Sequence, residues 1–435
     1  MPTRHPHPLR SALHNEVHAR PYERMQAPLS ISHLAFVCGA EGQAADRAHL
    51  EVLLRDHHLP IPAPETSHLS VDLPGCRLRW ERHTEFISYT ISRAVRAGED
   101  LDDRPAYAAL PADWLAAVPG ELLVATNLQV RMSQEPREPQ EPSHEEPLRQ
   151  RAERWLDADS LVGAGIADGD LQVYSDFRLH PDGYGRWLVG VNNPAMTPRR
   201  LGRYLQRLLE IDTYRMMALL GLPVAREVAR RLDELERQLA NLADAGQGSS
   251  SEEAALLDAL TRLAREVEAL YARHHGRFSA SSAYFDLVEQ RIVELREQRS
   301  ESLQTVREFV DRRLKPAVNT TVWASRRLGA LSERVSRASE LLRTRVEIEQ
   351  EEQARQLLSA MNARQGLQLR LQAAVEGLSV AAITYYGTGL VGYLVKGIHA
   401  LGLPIPVEPV VALAVPLIAV SAWLGLRRLR RRIEG

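Results

Sequence analysis

Two apolar runs near the C-terminus are the strongest feature in the pattern of hydrophobic and polar positions. Residues 378–395 form 18 consecutive positions without a charge, and residues 409–426 form 18 more. Each run is just long enough to cross the hydrocarbon core of a bilayer as a helix. We therefore predict transmembrane helices at 378–396 and 409–426, joined as a hairpin by a short outer loop at 397–408.

Upstream of the first apolar run, the pattern is that of one long helix. No proline lies between Pro316 and Pro404, and apolar residues recur at spacings of three and four, which is typical of a coiled coil. The pattern predicts a stalk helix over 316–377 that continues into the membrane. The recurring residues are Leu328, Leu331, Val335, Ala338, Leu342, Leu357, Met361, Leu371, Val375 and Leu378.

These recurring apolar residues form a stripe along the helix, here called the apolar seam. The segment EIEQEEQARQ interrupts the apolar seam with four glutamates in six residues. Such a run is usually a solvated helix face. In a parallel oligomer, Glu347 and Glu351 would instead form acidic rings above the membrane and attract cations. Both interpretations stay open.

The region 196–315 precedes the stalk and contains amphipathic patterns that predict a helical layer. Helices are expected at 198–220, 223–245, 252–275 and 279–315. Their apolar stripes indicate that they pack around the stalk or against the N-terminal region.

Residues 1–195 have a different, β-rich pattern. Strands are predicted in LSISHLAFVC, CRLRWERHTEFISYTISR, ELLVATNLQVRM, DLQVYSDFRL and RWLVGVNN, with a helix in QAADRAHLEVLLRDHH. These elements indicate an α/β or α+β domain of five or six strands. The proline- and glutamate-rich segment 133–147 is expected to be a mobile insert, and the glycines of 163–170 are expected to form a turn.

Charge and cysteine content indicate where the chain resides. The net charge of −2 does not indicate the basic surface that binds nucleic acid. Cys38 and Cys76 form no CxxC pair, which fits a reducing cytosol. The N-terminus has no apolar signal region. The arginine-rich tail at 427–435 marks the cytoplasmic side of the hairpin. We therefore expect a bacterial inner-membrane protein with both termini in the cytoplasm.

Few residues suggest chemistry. His14, Glu16 and His18 alternate, so on a strand they would face one way and could bind zinc or another transition metal; the alternative is that they brace the first element by hydrogen bonds. The chain has no GxSxG, no GxxxxGK[ST] and no convincing Cys–His pair. We therefore expect that the protein is not an enzyme.

Small residues cluster in the first apolar run, at Gly387, Thr388, Gly389 and Gly392. Small residues let membrane helices approach closely, so this cluster is explained by helix packing. The other interpretation is that backbone carbonyls and hydroxyls here face the axis of a pore.

The stalk and hairpin together resemble the CorA-type divalent cation transporters. In MNARQGLQLRLQAAVEGLSVAAITYYGTG, Tyr386 and Gly387 match the first two residues of that family's Tyr-Gly-Met-Asn motif, while Thr388 and Gly389 replace the other two. The loop segment PVEP, with Glu408, is a loose counterpart of the family's proline-glutamate loop. The resemblance implies a homopentamer whose first membrane helix lines a pore for a divalent cation such as magnesium. Gly389 lacks the side chain that the family's asparagine supplies.

The N-terminal stretch LHNEVHARPYERM resembles the opening of a family of uncharacterised bacterial membrane-anchored proteins, and this likeness assigns no activity. The leading hypothesis is a homo-oligomer of CorA-like architecture, in contact with membrane lipid, that conducts or senses a cation. Its outer constriction would be residues 386–389 with Glu408, and its inner route would pass Glu347 and Glu351. The alternative is a membrane-anchored coiled-coil scaffold whose cytoplasmic domain binds a partner not identified by the sequence.

Overall fold

The computed structural model describes residues 7–10, 13–14, 21–95, 104–133, 147–244, 250–300, 303–400 and 406–433. These residues divide into two compact units. The first unit consists of Met1–Ala245 with Ala259–Arg337, and the second of Gly246–Asp258 with Ala338–Gly435.

Nine strands form a single sheet within the described residues. They are β1 (Leu29–Val37), β2 (His68–Leu73), β3 (Cys76–Arg82), β4 (Phe86–Ala94), β5 (Glu121–Met132), β6 (Val162–Ile166), β7 (Leu171–Ser175), β8 (Gly185–Val191) and β9 (Gln298–Arg299). Their order across the sheet is β2-β3-β4-β1-β5-β8-β7-β6-β9. All neighbours are antiparallel except β5 and β8, which are parallel.

Eight α-helices accompany the sheet in the described part of the chain. They are α1 (Ala40–Asp56), α2 (Ala112–Ala116), α3 (Leu148–Trp155), α4 (Pro198–Leu219), α5 (Gly221–Asp244), α6 (Ser250–Glu294), α7 (Val306–Ala400) and α8 (Val407–Ile433). An N-terminal α+β sheet domain is therefore followed by long helices and two apolar C-terminal segments, which confirms the predicted fold class in outline.

Both faces of the sheet are covered, because the strands alternate apolar residues between two cores. On one face, Ile31 and Leu128 pack with Leu205 and Leu208 of α4 and with Val310 of α7. On the other face, side chains of β1, β3 and β4 pack against α1 and the segment 106–118. The sheet is thus the central layer of the first unit.

The start of α7 differs from the prediction of one helix over 279–315. Helix α6 runs without a break to Glu294, and α7 begins only at Val306. The cause is a reciprocal cap in TVRE: the Thr305 backbone N–H donates to Glu308 Oε2 (3.1 Å), and the Glu308 N–H donates to Thr305 Oγ1 (3.2 Å). Glu297 accepts two more backbone N–H groups of the first turn. Pro316, expected at the stalk's start, lies inside α7.

One other difference concerns the sheet. The glycine-rich stretch at 163–170 was expected to be a turn, but its first part is the buried strand β6. Gly163 allows this, because an added Cβ would lie 2.8 Å from side-chain atoms of Tyr174 and Leu303. Of the predicted insert 133–147, residues 134–146 lie outside the described part of the chain, as do 401–405 of the predicted loop.

Helix α4 is held close to the segment 21–25 that precedes β1. The Met25 backbone N–H donates to Pro198 O at 3.0 Å, and a Cβ at Gly202 would lie only 1.9 Å from Glu23 O. Only glycine permits this approach of helix and chain. The segment 21–25 therefore lies directly against α4.

A buried carboxylate joins α1 to the sheet and makes the first test of the fold. Asp46 accepts hydrogen bonds from Trp80 Nε1 (2.8 Å) and from the Tyr89 hydroxyl (2.6 Å), and burial raises its pKa.

In Asp46→Ala both buried donors lose their acceptor, and each loss lowers the free energy of unfolding by about 1–3 kcal/mol. We expect a clearly lower thermal unfolding midpoint, measured by near-ultraviolet circular dichroism. Asp56→Ala, on the exposed end of the same helix, is the control and should change stability by less than about 0.5 kcal/mol; equal midpoints for the two variants would contradict this role.

Candidate functional site

The two apolar helices of the second unit contact each other through glycine. A Cβ added to Gly387 of α7 would lie 3.0 Å from Ile418 Cγ2 of α8, and one at Gly392 would lie 3.6 Å from Val411 Cγ2. By length and composition, both helices could cross a membrane: their most apolar windows have mean hydropathies of 1.4 and 2.1. The two glycines therefore serve close packing inside one hairpin.

The opposite face of α7 is uncovered. Tyr386 and Tyr393 are 75% and 78% exposed, and no atom lies within 4 Å of a Cβ added to Gly389. At about 100° per residue these positions share one face. Thr388 is half-buried, and its hydroxyl donates to Thr384 O at 2.6 Å. Of the predicted constriction residues, Tyr386 and Gly389 thus lie on the uncovered face, whereas Gly387 and Thr388 lie on the side of α8.

The acidic residues of the predicted cation route are exposed in the single chain. Glu347 has an exposed side chain, and Glu351 accepts from Arg355 one turn later at 2.8 Å. Glu408 lies in the first turn of α8 and is also exposed. One chain therefore does not bring these three carboxylates together into a site.

The apolar seam of α7 has two different environments. In the first unit, Leu328, Leu331 and Val335 are at most 1% exposed, and nearby Arg327 and Ser332 bond to α5 and α6. In the second unit, the later seam residues are more than half exposed. They are Leu357, Met361, Leu371, Val375 and Leu378. Among the described residues, the seam is buried at its beginning and exposed from Leu357 to Leu378.

The predicted metal residues are only partly described. His14 is within the described residues, whereas Glu16 and His18 lie outside them. Across the described ranges, no group of three or more His, Cys, Asp or Glu side chains could hold a metal ion.

A polar cavity under α4 was not anticipated from the sequence. It has a volume of about 220 Å³ and lies between β1, β3 and β4 on one side and α4 on the other, with Tyr22, Met25 and Arg291 completing the wall. All of these residues belong to the first unit. The cavity interrupts the apolar core that elsewhere fills the space between the sheet and α4.

His33 on the central strand β1 is a buried polar residue that lines the cavity. Its Nδ1 lies 2.8 Å from Thr90 Oγ1, and its Nε2 lies 3.0 Å from Thr213 Oγ1. The Thr213 hydroxyl donates its one proton to Leu209 O at 2.9 Å, so it must accept from Nε2–H. Nδ1 of the neutral ring then accepts from Thr90, which fixes the tautomer.

Burial holds His33 in this neutral form. Desolvation lowers its pKa to about 4, against the smaller opposing effects of Glu81 and Asp212; Arg79 also lowers it. The Asp212 carboxylate itself accepts hydrogen bonds from Thr126 Oγ1 and from Arg215 Nε, the latter at 2.7 Å. His33 thus acts as a neutral hydrogen-bonding group at physiological pH.

Two ion pairs face each other across the cavity. On the sheet, Arg79 Nη2 donates to Glu81 Oε1 at 2.9 Å, and both residues are buried. On the helices, Arg291 Nε donates to Glu210, whose Oε1 also accepts from Gln206 Nε2 at 2.7 Å. Four ionised groups are therefore concentrated where burial of unpaired charge would be costly.

A sequence signal for this site did exist. In LSISHLAFVC the inward-facing positions are Ile31, His33 and Ala35, so a histidine occupies a core position of the alternating pattern. Arg79 and Glu81 likewise share one face of β3. Polar residues at core positions are informative, but only the tertiary structure shows that these strands meet Gln206 and Arg291.

Together these features define a protein with an α+β sheet domain, long helices and two C-terminal apolar helices that have the length and composition of membrane spans. The chain belongs to the family described as "Protein of unknown function (DUF3422)", whose family model matches residues 5–433. No curated protein and no solved structure gives a significant match to the chain.

The buried His33 gives a pH-dependent prediction. Its folded pKa of about 4 is below the ordinary value of 6.5, so the unfolded chain takes up the proton first as the pH falls. The contribution of neutral His33 to the free energy of unfolding is complete above about pH 6.5. It is lost progressively as the pH falls towards 4, by about 3 kcal/mol. His33→Gln, which cannot be protonated, should flatten the fall of the unfolding midpoint in this window. The exposed His58→Asn variant is the control and should keep the wild-type slope; an unchanged slope in His33→Gln would refute the assignment.

Proposed function

We propose that the protein is a homo-oligomer anchored in the bacterial inner membrane, with both termini in the cytoplasm, whose chains associate through the exposed part of the α7 seam. The observation that carries this proposal is the change of environment along one helix, from buried leucines at 328–335 to exposed ones at 357–378. A periodic apolar stripe on a helix requires a partner surface.

A second copy of the chain is the partner that fits best. Copies anchored by the same hairpin would present the same seam at the same height, so parallel association aligns leucine with leucine. The resemblance to CorA-type transporters favours a pentamer. The proposed role is binding and conduction rather than catalysis.

We propose further that the assembly conducts or senses a divalent cation such as magnesium. The supporting observation is that α8 covers Gly387 and leaves the face of Tyr386 and Gly389 open. In a ring of chains, that open face would border the axis, and Glu408 with Glu347 and Glu351 would attract cations at the two ends. A scaffold for a cytoplasmic partner would need the same seam but no water along this face.

The seam proposal is tested by two matched double variants. Leu371→Glu with Val375→Glu places carboxylates in the seam of every chain, where burial without a partner is strongly unfavourable. Native mass spectrometry of the detergent-purified full chain should show an oligomer, expected to be a pentamer, for the wild type and mainly monomer for this variant.

Asn362→Glu with Ala373→Glu adds the same charge on the opposite face of α7 and should leave the oligomer intact. A monomeric wild type, or equal behaviour of the two double variants, would reject the seam as the interface.

The proposal of cation conduction is tested with single cysteines in a chain carrying Cys38→Ala and Cys76→Ala. Gly389→Cys should react with a charged, membrane-impermeant thiol reagent, because thiolates form in water and not in lipid. Thr388→Cys, on the side facing α8, should be protected. In proteoliposomes loaded with a fluorescent magnesium indicator, the wild type should admit magnesium. An unreactive Gly389→Cys or the absence of flux in an assembled protein leaves the scaffold as the function.

A further inference from the structure

The cavity under α4 carries charge of both signs in equal number. Arg79 and Arg291 face Glu81 and Glu210, while His33 is neutral. Because these groups compensate each other in pairs, the net charge of a charged ligand would itself remain uncompensated in a partly enclosed space, which is unfavourable. The balance therefore favours a ligand that is neutral overall and carries both an anionic and a cationic group.

Helices α4 and α6 present one acceptor and one donor to such a ligand. Gln206 uses its amide nitrogen on Glu210, which fixes the orientation of the amide. Its buried Oε1 has no hydrogen-bond partner among the residues that the structure describes. The described contacts of Arg291 use Nε and Nη1, so its Nη2 group can still donate. Among the described residues, Gln206 Oε1 is thus an unused acceptor and Arg291 Nη2 an unused donor, on two side chains that both bond to Glu210.

The size and the remaining lining define the rest of the ligand. A single water occupies about 10–15 Å³ of such space, so a cavity of about 220 Å³ admits a small organic molecule. Beyond the charged groups, the wall combines polar side chains with apolar and aromatic ones. The apolar and aromatic side chains are Tyr22, Met25, Phe86, Leu209 and Tyr214. Apolar surface combined with convergent polar groups is the usual form of a small-molecule site.

We infer that this cavity binds a free amino acid with an apolar side chain. Its carboxylate bonds to Arg291 Nη2, its ammonium group bonds to Gln206 Oε1 near Glu81 and Glu210, and its side chain lies among the aromatic and apolar residues. The segment 21–25, which carries Tyr22 and Met25 and lies against α4 at Gly202, forms part of the wall. This binding activity goes beyond the proposed membrane function, and its test does not depend on the oligomeric state.

The experiment uses the full chain in detergent and follows its thermal unfolding midpoint and, by calorimetry, the dissociation constant. The probes are L-valine, L-leucine, L-isoleucine, L-methionine and L-phenylalanine. Two analogues of leucine, 4-methylpentanoate without the amino group and 3-methylbutylamine without the carboxylate, are the ligand controls. At least one amino acid should raise the midpoint by mass action, and neither analogue should do so.

Variants connect the binding to the cavity. Gln206→Met keeps the side-chain length but removes the acceptor, and it should weaken binding by about tenfold or more. Arg291→Lys keeps the charge beside Glu210 but loses Nη2, and it should weaken binding similarly if Gln206→Met does not fold. Gln290→Met, an exposed neighbour on α6, is the matched control. The inference is overturned if no probe shifts the midpoint, if an analogue binds as well as its amino acid, or if the cavity variants bind like the wild type.

Discussion

The polar contact between the central strands and helix α4 is the constraint on which the sheet domain depends. Thr213 of α4 bonds to His33 of β1. The preceding residue, Asp212, accepts a hydrogen bond from Thr126 of β5. Apolar packing alone tolerates small shifts of a helix over a sheet, whereas buried polar groups lose their partners when the helix slides or rotates. These contacts therefore fix one position and one rotation of α4 over the sheet, here called its register.

That register also determines the geometry of the cavity. Gln206 and Glu210 lie two turns and one turn before Thr213 on α4, respectively, so fixing Thr213 fixes their position over the sheet. The arrangement costs stability, because ionised side chains and a histidine occupy space that hydrophobic residues could fill. A cost of this kind at the centre of a domain is typical of a functional site.

Helix α7 is subject to a different constraint in each of its parts. Its first turns complete the core of the sheet domain through Val306 and Val310. Its middle carries an apolar seam that is exposed among the described residues, and its last part packs against α8 at Gly387. One sequence pattern of three-four spacing therefore serves three kinds of contact, and spacing alone does not distinguish them.

The elements that were predicted correctly are those whose pattern is local. The alternation in β1 and β5, the stripe of α1 and the two apolar runs gave the α+β class and the hairpin. Strands β2, β6 and β9 were not predicted. Strand β6 is glycine-rich, and β9 has only two residues and pairs with β6, which is distant in the chain. The cavity was missed for the same reason: His33, Arg79, Gln206 and Arg291 come together only when four separate segments pack.

The position of the sheet domain's last core residues has a consequence for biosynthesis. Val318 is the final residue of the main core, and the first apolar run begins at Leu378, which is 378 − 318 = 60 residues later. At about 5–20 residues per second, the ribosome needs roughly 3–12 s to make this stretch. Strand β9 and the start of α7 are therefore synthesised before either apolar run. Translation thus separates completion of the sheet domain's sequence in time from synthesis of the two apolar helices.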